Sequence, residues 1–175
     1  IRSGNLTGSH GSVVPLFREQ IKRHNKVTVT DRRMTRFLEI PEDLASFALQ
    51  VATEGKGGEI FIPKMAAVDA GMLADVMIKH LGNATTATEN IGVRSGERFH
   101  EVLVSQDEIG RIIEFPKHFV VLPYQFLLDQ LPQLASYKSL GAQQVVPHAV
   151  YSSETAPKLS PDELAKKLRG LGYFV

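Results

Sequence analysis

With 175 residues, 43% of them apolar and 22% charged, the chain has the makings of one globular domain with its own core, and its composition is neither disordered nor collagen-like. Its 20 basic and 19 acidic side chains leave a formal charge of +1, so no global field argues for nucleic acid or an acidic membrane surface. Cysteine is absent, which removes disulfides, thiolate metal sites and cysteine nucleophiles and fits a reducing compartment, with the cytoplasm as the expected location. No apolar run approaches the roughly 18 to 20 residues of a membrane-spanning helix, and no signal-peptide pattern opens the chain, so no membrane contact is expected. The sequence starts at Ile1, without a methionine and directly in a patterned segment, which reads as the later part of a longer polypeptide.

Taken in order, Gly4, Gly8 and Gly11 punctuate a segment too rich in glycine for an element interior, so a loop is expected whose backbone can approach a ligand or simply turns. Ser12 stands where a helix cap belongs. From Val13 to about His24 the apolar Val13, Val14, Leu16, Phe17 and Ile21 recur at helical spacing, with Pro15 tolerated in the first turn. A glycine loop before a helix is either a plain turn or an anion site at the helix amino end. Lys26–Thr30 has the β-branched alternation of a strand, and Arg36–Ile40 is a second strand after a turn at Asp31–Arg33. From Arg18 to Arg36 there are seven basic residues against Glu19 and Asp31. Such a run is a solvated face or a phosphate-binding cluster. The lack of interleaved aromatics weakens a nucleic-acid reading.

Pro41 to about Glu54 reads as an amphipathic helix ended by the glycines of Gly55–Gly58, Glu59–Pro63 as a buried strand, and Asp69–Leu81 as a helix capped by Asp69 and stopped by Gly82. A strand is expected from about Thr86 to Val93. Further on, Ile109–Phe115 and His118–Leu122 could pair as strands, Tyr124–Leu134 is expected to be helical, Gly141–Pro147 loop-like and Ala149–Ser152 a short strand. The segment Ser160–Arg169 carries a capping box, with Ser160 as cap, Pro161 at the first helical position and Glu163 reaching back. Helices alternating with short strands give a mixed α/β fold in one domain.

Several catalytic patterns are missing. The six histidines show no metal-ligand spacing, and there is no GxSxG elbow, Walker loop or GxGxxG fingerprint. No tyrosine stands four residues before a lysine, the acid/base pair of short-chain dehydrogenases. The chain alone is therefore expected to catalyse nothing and to bind no metal.

Four ordered segments, GNLTGSHGSVVPLF, TDRRMTRF, GEIFIPKMAA and VRSGERFHEVLVSQDE, resemble the carboxy-terminal half of the nucleotide-sugar 4,6-dehydratases and epimerases of capsule and polysaccharide biosynthesis. These are extended short-chain dehydrogenase/reductase enzymes acting on UDP-N-acetylglucosamine. The resemblance implies that residues 1–175 are the small substrate-binding α/β part of such an enzyme, with the Rossmann half, the NADP or NAD cofactor and the tyrosine–lysine pair upstream and the whole enzyme a homo-oligomer. It places Asn5 on the sugar nucleotide near the diphosphate; Val14, Pro15 and Phe17 beside the nucleotide; the backbone of Val29 at the uracil; Arg36 and Arg94 on the diphosphate; and Glu97 on the ribose hydroxyls. The family usually has tyrosine at Ser3, arginine at His10 and a histidine–glycine–glutamate–lysine run at Ser95–Arg98, differences that bear on the hexose end of the ligand. A 4-epimerase is the nearest alternative, and a non-catalytic anion-binding or assembly module the alternative of another class.

Overall fold

The computed structural model describes residues 1–9, 11–124, 137–142 and 150–174. In chain order the elements are β1 (Asn5–Leu6), α1 (Val13–His24), β2 (Lys26–Val29), β3 (Thr35–Glu39), α2 (Pro41–Glu54), β4 (Ile60–Pro63), β5 (Ala67–Asp69), α3 (Ala70–Leu81), β6 (Ala87–Asn90), β7 (Val102–Val104), a 3-10 turn (Gln106–Arg111), β8 (Ile112–Glu114), β9 (His118–Val121), β10 (Tyr151–Ser152) and α4 (Pro161–Gly170). The mixed α/β expectation holds. The helices expected at Val13, Pro41 and Ser160 form at those places. The helical expectation for Tyr124–Leu134 lies outside the described residues beyond Tyr124, as does most of Gly141–Pro147.

Among the described residues the strands make four small sheets. β1 lies parallel to β3, and β3 antiparallel to β5; β2 and β6 run parallel; β4, β9 and β8 form an antiparallel sheet; β7 and β10 pair antiparallel. Successive residues of a strand face opposite sides, and β3 uses this to serve two cores. Its Leu38 packs into a core with Val14, Phe17 and Ile21 of α1, Leu73 and Met77 of α3, and Leu164 and Leu168 of α4. The adjacent Phe37 packs with Ile62, Leu103, Ile112 and Phe119. A third cluster joins Phe61, Ile113, Val120 and Tyr137, with Phe47 and Val51 of α2 resting on it. β9, central in its sheet, is buried at all four positions, which is why HFVV shows no polar alternation.

Two capping expectations turn out differently. Ser160 makes the full box: its Oγ accepts from the Glu163 N–H at 3.3 Å while Glu163 Oε2 accepts from the Ser160 N–H at 2.8 Å. Ser12 occupies the cap position of α1 in extended conformation but makes no side-chain cap bond. An N-cap side chain usually accepts from the second or third helical N–H, and Pro15, third in α1, has none to give. Asp69 likewise precedes α3 without capping it, because its Oδ1 accepts from Lys158 Nζ at 2.5 Å.

Candidate functional site

A cleft of 490 Å³ opens where the β1–α1 loop, the first turn of α1, strand β2 and strand β3 meet the segment from Ile91 to Glu97. Its floor is apolar, from Val14, Phe17, Val29, Met34 and Leu38, all buried. Leu16 and Ile91, 47% and 42% exposed, border it as apolar rims. The loop turns through Gly8 and Gly11 at φ 86° and 78°, values that only glycine adopts without cost, and so brings Thr7, Ser9 and Ser12 to one side. The hydroxyls of Thr7 and Ser12 are buried without a described partner. By helix geometry the first N–H groups of α1 also lack intrahelical acceptors, so this wall carries donors.

Of the residues expected to bind ligand, Asn5, Val14, Phe17, Val29, Arg36, Arg94 and Glu97 line the cleft together. Pro15 does not line it, being half-buried in the first turn beside them. Arg94 is exposed at the rim, and no described residue pairs with its guanidinium. Glu97 is held by its own turn, with Oε2 accepting from the Arg94 N–H at 3.3 Å and Oε1 from Thr30 Oγ1 at 3.4 Å.

Arg36 is placed differently from the expectation of a free phosphate-binding fork. Its Nη1 donates to the carbonyls of Thr35 at 2.7 Å and Phe99 at 3.1 Å, and its Nη2 to that of Arg98 at 2.9 Å. A planar guanidinium so engaged fixes the 98–99 backbone against β3. Val29 also differs. Its carbonyl accepts from the Ile91 N–H at 2.9 Å within the β2–β6 ladder. Backbone groups alternate sides along a strand, so Thr28 and Thr30 carry the polar groups of the other edge. Gln20 of α1 shields one of these, its Oε1 accepting from the Thr28 N–H at 3.0 Å and its Nε2 donating to Thr28 Oγ1 at 2.6 Å.

Behind the cleft lies a polar network. Glu101 accepts from the Phe37 N–H at 2.8 Å and from Asn5 Nδ2, with Arg36 Nε 3.9 Å away. Burial pushes its carboxyl upward, while these donors and the Arg36 charge oppose that rise. Ser153, fully buried, donates to the Thr35 carbonyl at 3.0 Å and accepts from the Glu101 N–H at 2.9 Å. Thr35 Oγ1 stands 2.7 Å from Ser153 Oγ and 2.8 Å from His100 Nδ1. With the Ser153 hydrogen given to the carbonyl, Thr35 donates to Ser153 and His100 Nδ1–H donates to Thr35.

A family model described as polysaccharide biosynthesis protein matches residues 1–123. The chain belongs to this family. It is 36% identical over 165 residues to a UDP-N-acetylglucosamine 4,6-dehydratase (inverting) of Campylobacter jejuni subsp. jejuni serotype O:23/36 (strain 81-176), covering 93% of this chain and 48% of that protein. To a UDP-glucose 4-epimerase of Rickettsia rickettsii (strain Sheila Smith) it is 31% identical over 173 residues, covering 98% and 49%. The solved structure described as Pen from Bacillus thuringiensis superposes with a TM-score of 0.82 at 30% identity, covering 98% of this chain and 48% of that one. This member of the polysaccharide biosynthesis family thus spans about half the length of the relatives it matches, and corresponds to the carboxy-terminal part of an extended short-chain dehydrogenase/reductase.

Sequence reasoning passes over four residues that shape this family member's cleft: Gln20, Thr30, Glu101 and Ser153. Thr30 closes the expected strand Lys26–Thr30 and Glu101 stands within VRSGERFHEVLVSQDE, so both lie in segments with a local pattern. Gln20 and Ser153 act across the fold, and local pattern carries no trace of that. Among the described residues no three His, Asp or Glu side chains gather in a way that could hold a metal ion, and no helix is long and apolar enough to cross a membrane.

Proposed function

We propose that this chain is the substrate-binding wall of an NAD(P)-dependent 4,6-dehydratase acting on a UDP-N-acetylhexosamine in polysaccharide biosynthesis, with an upstream Rossmann domain supplying the cofactor. The observation that carries this reading is Arg94, a cation without a described partner at the rim, beside Glu97, a held carboxylate three residues on, in one cleft with the Thr7 and Ser12 hydroxyls and the Val13 and Val14 N–H groups at the start of α1. A diphosphate needs the first and the third, and ribose hydroxyls suit the second. The Thr28 carbonyl and the Thr30 backbone offer polar groups for a base, Val14 and Phe17 the apolar floor beneath it, and Asn5 the sugar end. Arg36 serves by holding the 98–99 backbone from which the Glu101 network hangs.

The dinucleotide does not fit this chain by itself. The orphaned hydroxyls of Thr7 and Ser12 and the α1 amino end belong to the cleft already assigned to the sugar nucleotide, and no second glycine-rich βα turn stands among the described residues. No step of the oxidation is therefore assigned to its residues. A 4-epimerase is the second reading, favoured by the Rickettsia relatives at 31% identity. Both reactions open with oxidation at carbon 4, so they share this wall.

Calorimetric titration of UDP into the chain, alone and joined to its upstream half, tests the site. Binding is expected, and Arg94→Ala should weaken it more than tenfold, because a charge-assisted hydrogen bond contributes roughly 1.5–3 kcal/mol. Unchanged affinity in that variant would remove Arg94 from the site, and no UDP binding in either form would remove the reading. Product analysis of the full-length enzyme separates a 4-keto-6-deoxy sugar from an epimer.

A further inference from the structure

Asn5 is exposed at the cleft, yet the nitrogen corner of its amide is turned away from the open space and onto Glu101. The cause is chemical. Glu101 already accepts the Phe37 N–H at 2.8 Å and has Arg36 Nε at 3.9 Å, a donor and a cation that favour the ionised, acceptor-only carboxylate against the pull of burial. Such a group can be met only by the NH2 of an asparagine, so the oxygen corner must face away from it. The backbone of Asn5 cannot swing to escape this, being paired with Leu38 in the β1–β3 ladder.

We infer that Glu101 is a positioning residue that sets the hydrogen-bond polarity of Asn5, so that the cleft presents a carbonyl acceptor to the donors of a hexose. This rests on the nucleotide-sugar reading above and deepens it. A diphosphate is all acceptor at neutral pH and gains nothing from Asn5 Oδ1, whereas a sugar hydroxyl or an acetamido N–H can donate to it. Asn5 therefore discriminates for the sugar half of the ligand, while Arg94 and the α1 amino end serve the diphosphate half. Phe37 N–H, by fixing which carboxylate oxygen is left for Asn5, completes the arrangement.

Glu101→Gln reverses the polarity with almost no change of shape. Its amide oxygen must stay on the Phe37 N–H, so its NH2 faces Asn5, and Asn5 turns over to offer its own NH2 to the cleft. The readout is the ratio of affinities for UDP-N-acetylglucosamine and UDP, titrated calorimetrically on the protein joined to its upstream half as wild type, Glu101→Gln, Asn5→Ala and the double variant. Glu101→Gln is expected to leave UDP within about twofold and to reduce the advantage of the sugar nucleotide at least tenfold; in the Asn5→Ala background it should have no further effect on that ratio. Equal changes for both ligands, or none, overturn the inference while leaving the nucleotide site standing; failure of the wild-type protein to bind UDP, both alone and joined to its upstream half, removes both. Should Glu101→Gln not fold, the side-chain amide protons of Asn5 in wild-type protein answer the same question by 15N-resolved NMR. One should stay hydrogen-bonded and slow to exchange when the sugar nucleotide binds, and its release on binding would overturn the inference.

Discussion

Arg2 reaches across the fold to Glu108, its Nη1 and Nη2 meeting both carboxylate oxygens at 2.8 and 2.9 Å while Nη1 also donates to the Leu103 carbonyl at 2.7 Å. Hydrogen bonding to Arg2, with the Ser105 N–H and hydroxyl adding to it against the cost of burial, lowers the Glu108 carboxyl from 4.5 to about 2. A carboxyl depressed in the folded state stabilises the fold fully above its ordinary value, and the contribution is lost as pH falls through the folded one. Stability should therefore decline between about pH 4.5 and about pH 2. Arg2→Ala should cost about 2 kcal/mol at pH 7 and flatten the decline across that window, measured by urea unfolding at stepped pH. An equal acid slope in both proteins would show that the pair contributes nothing. This contact joins residues 106 apart, and no reading of Ile1–Gly4 as an isolated stretch contains it. Arg36 teaches the same at closer range: residue type and position are legible in TDRRMTRF, but that its donors are spent on three carbonyls is not.

Two of the described helices start with a serine and a nearby proline, and they differ in one spacing. In α4 the proline is the first helical residue, where its missing N–H costs nothing, and the third residue, Glu163, both donates to Ser160 and reaches back to it. In α1 the proline is itself the third residue, which deprives Ser12 of the donor a cap would use. Ser160→Ala should thus cost about 1 kcal/mol, whereas Ser12→Ala should leave stability within about 0.5 kcal/mol by the same urea measurement; a full capping cost at Ser12 would contradict the geometry. The helices α1 and α2 are legible because their 12 and 14 residues exceed three turns and repeat apolar positions at helical spacing, and the shorter α4, with 10 residues, because its capping box marks where it starts. β1, β5 and β7, with two or three residues each, have no room for a period and exist because a neighbouring strand supplies their ladder. Asp69 shows the competing case. It sits where a cap belongs, and a lysine distant in sequence takes its carboxylate instead.

At the scale of the whole molecule, the cleft is assembled from segments that the chain keeps far apart, and Ser153, outside it, ties β3 at Thr35 to the segment that ends at Glu101. It lies 118 residues from Thr35, is fully buried, and its single hydroxyl serves the Thr35 carbonyl, the Thr35 hydroxyl and the Glu101 N–H. Its own N–H donates to the Glu101 carbonyl at 2.8 Å, so the strand end at Ser152 and the segment at Glu101 are tied from both sides. Next to it Ala156 enters the core that holds Phe37, and Ala67 donates to the Pro157 carbonyl at 2.8 Å. Removing the hydroxyl leaves a Glu101 N–H and a buried threonine short of partners, which costs about 2–3 kcal/mol in all. Ser153→Ala should therefore unfold at lower urea. It should also weaken UDP binding severalfold although Ser153 does not line the cleft, because the Glu101 backbone that Ser153 holds ends the 94–101 segment that brings Arg94 and Glu97 to the rim. Wild-type affinity in a destabilised Ser153→Ala would mean that the Arg36 bonds to the Arg98 and Phe99 carbonyls suffice to hold that segment, and that the carboxy-terminal strand supports the fold without shaping the site.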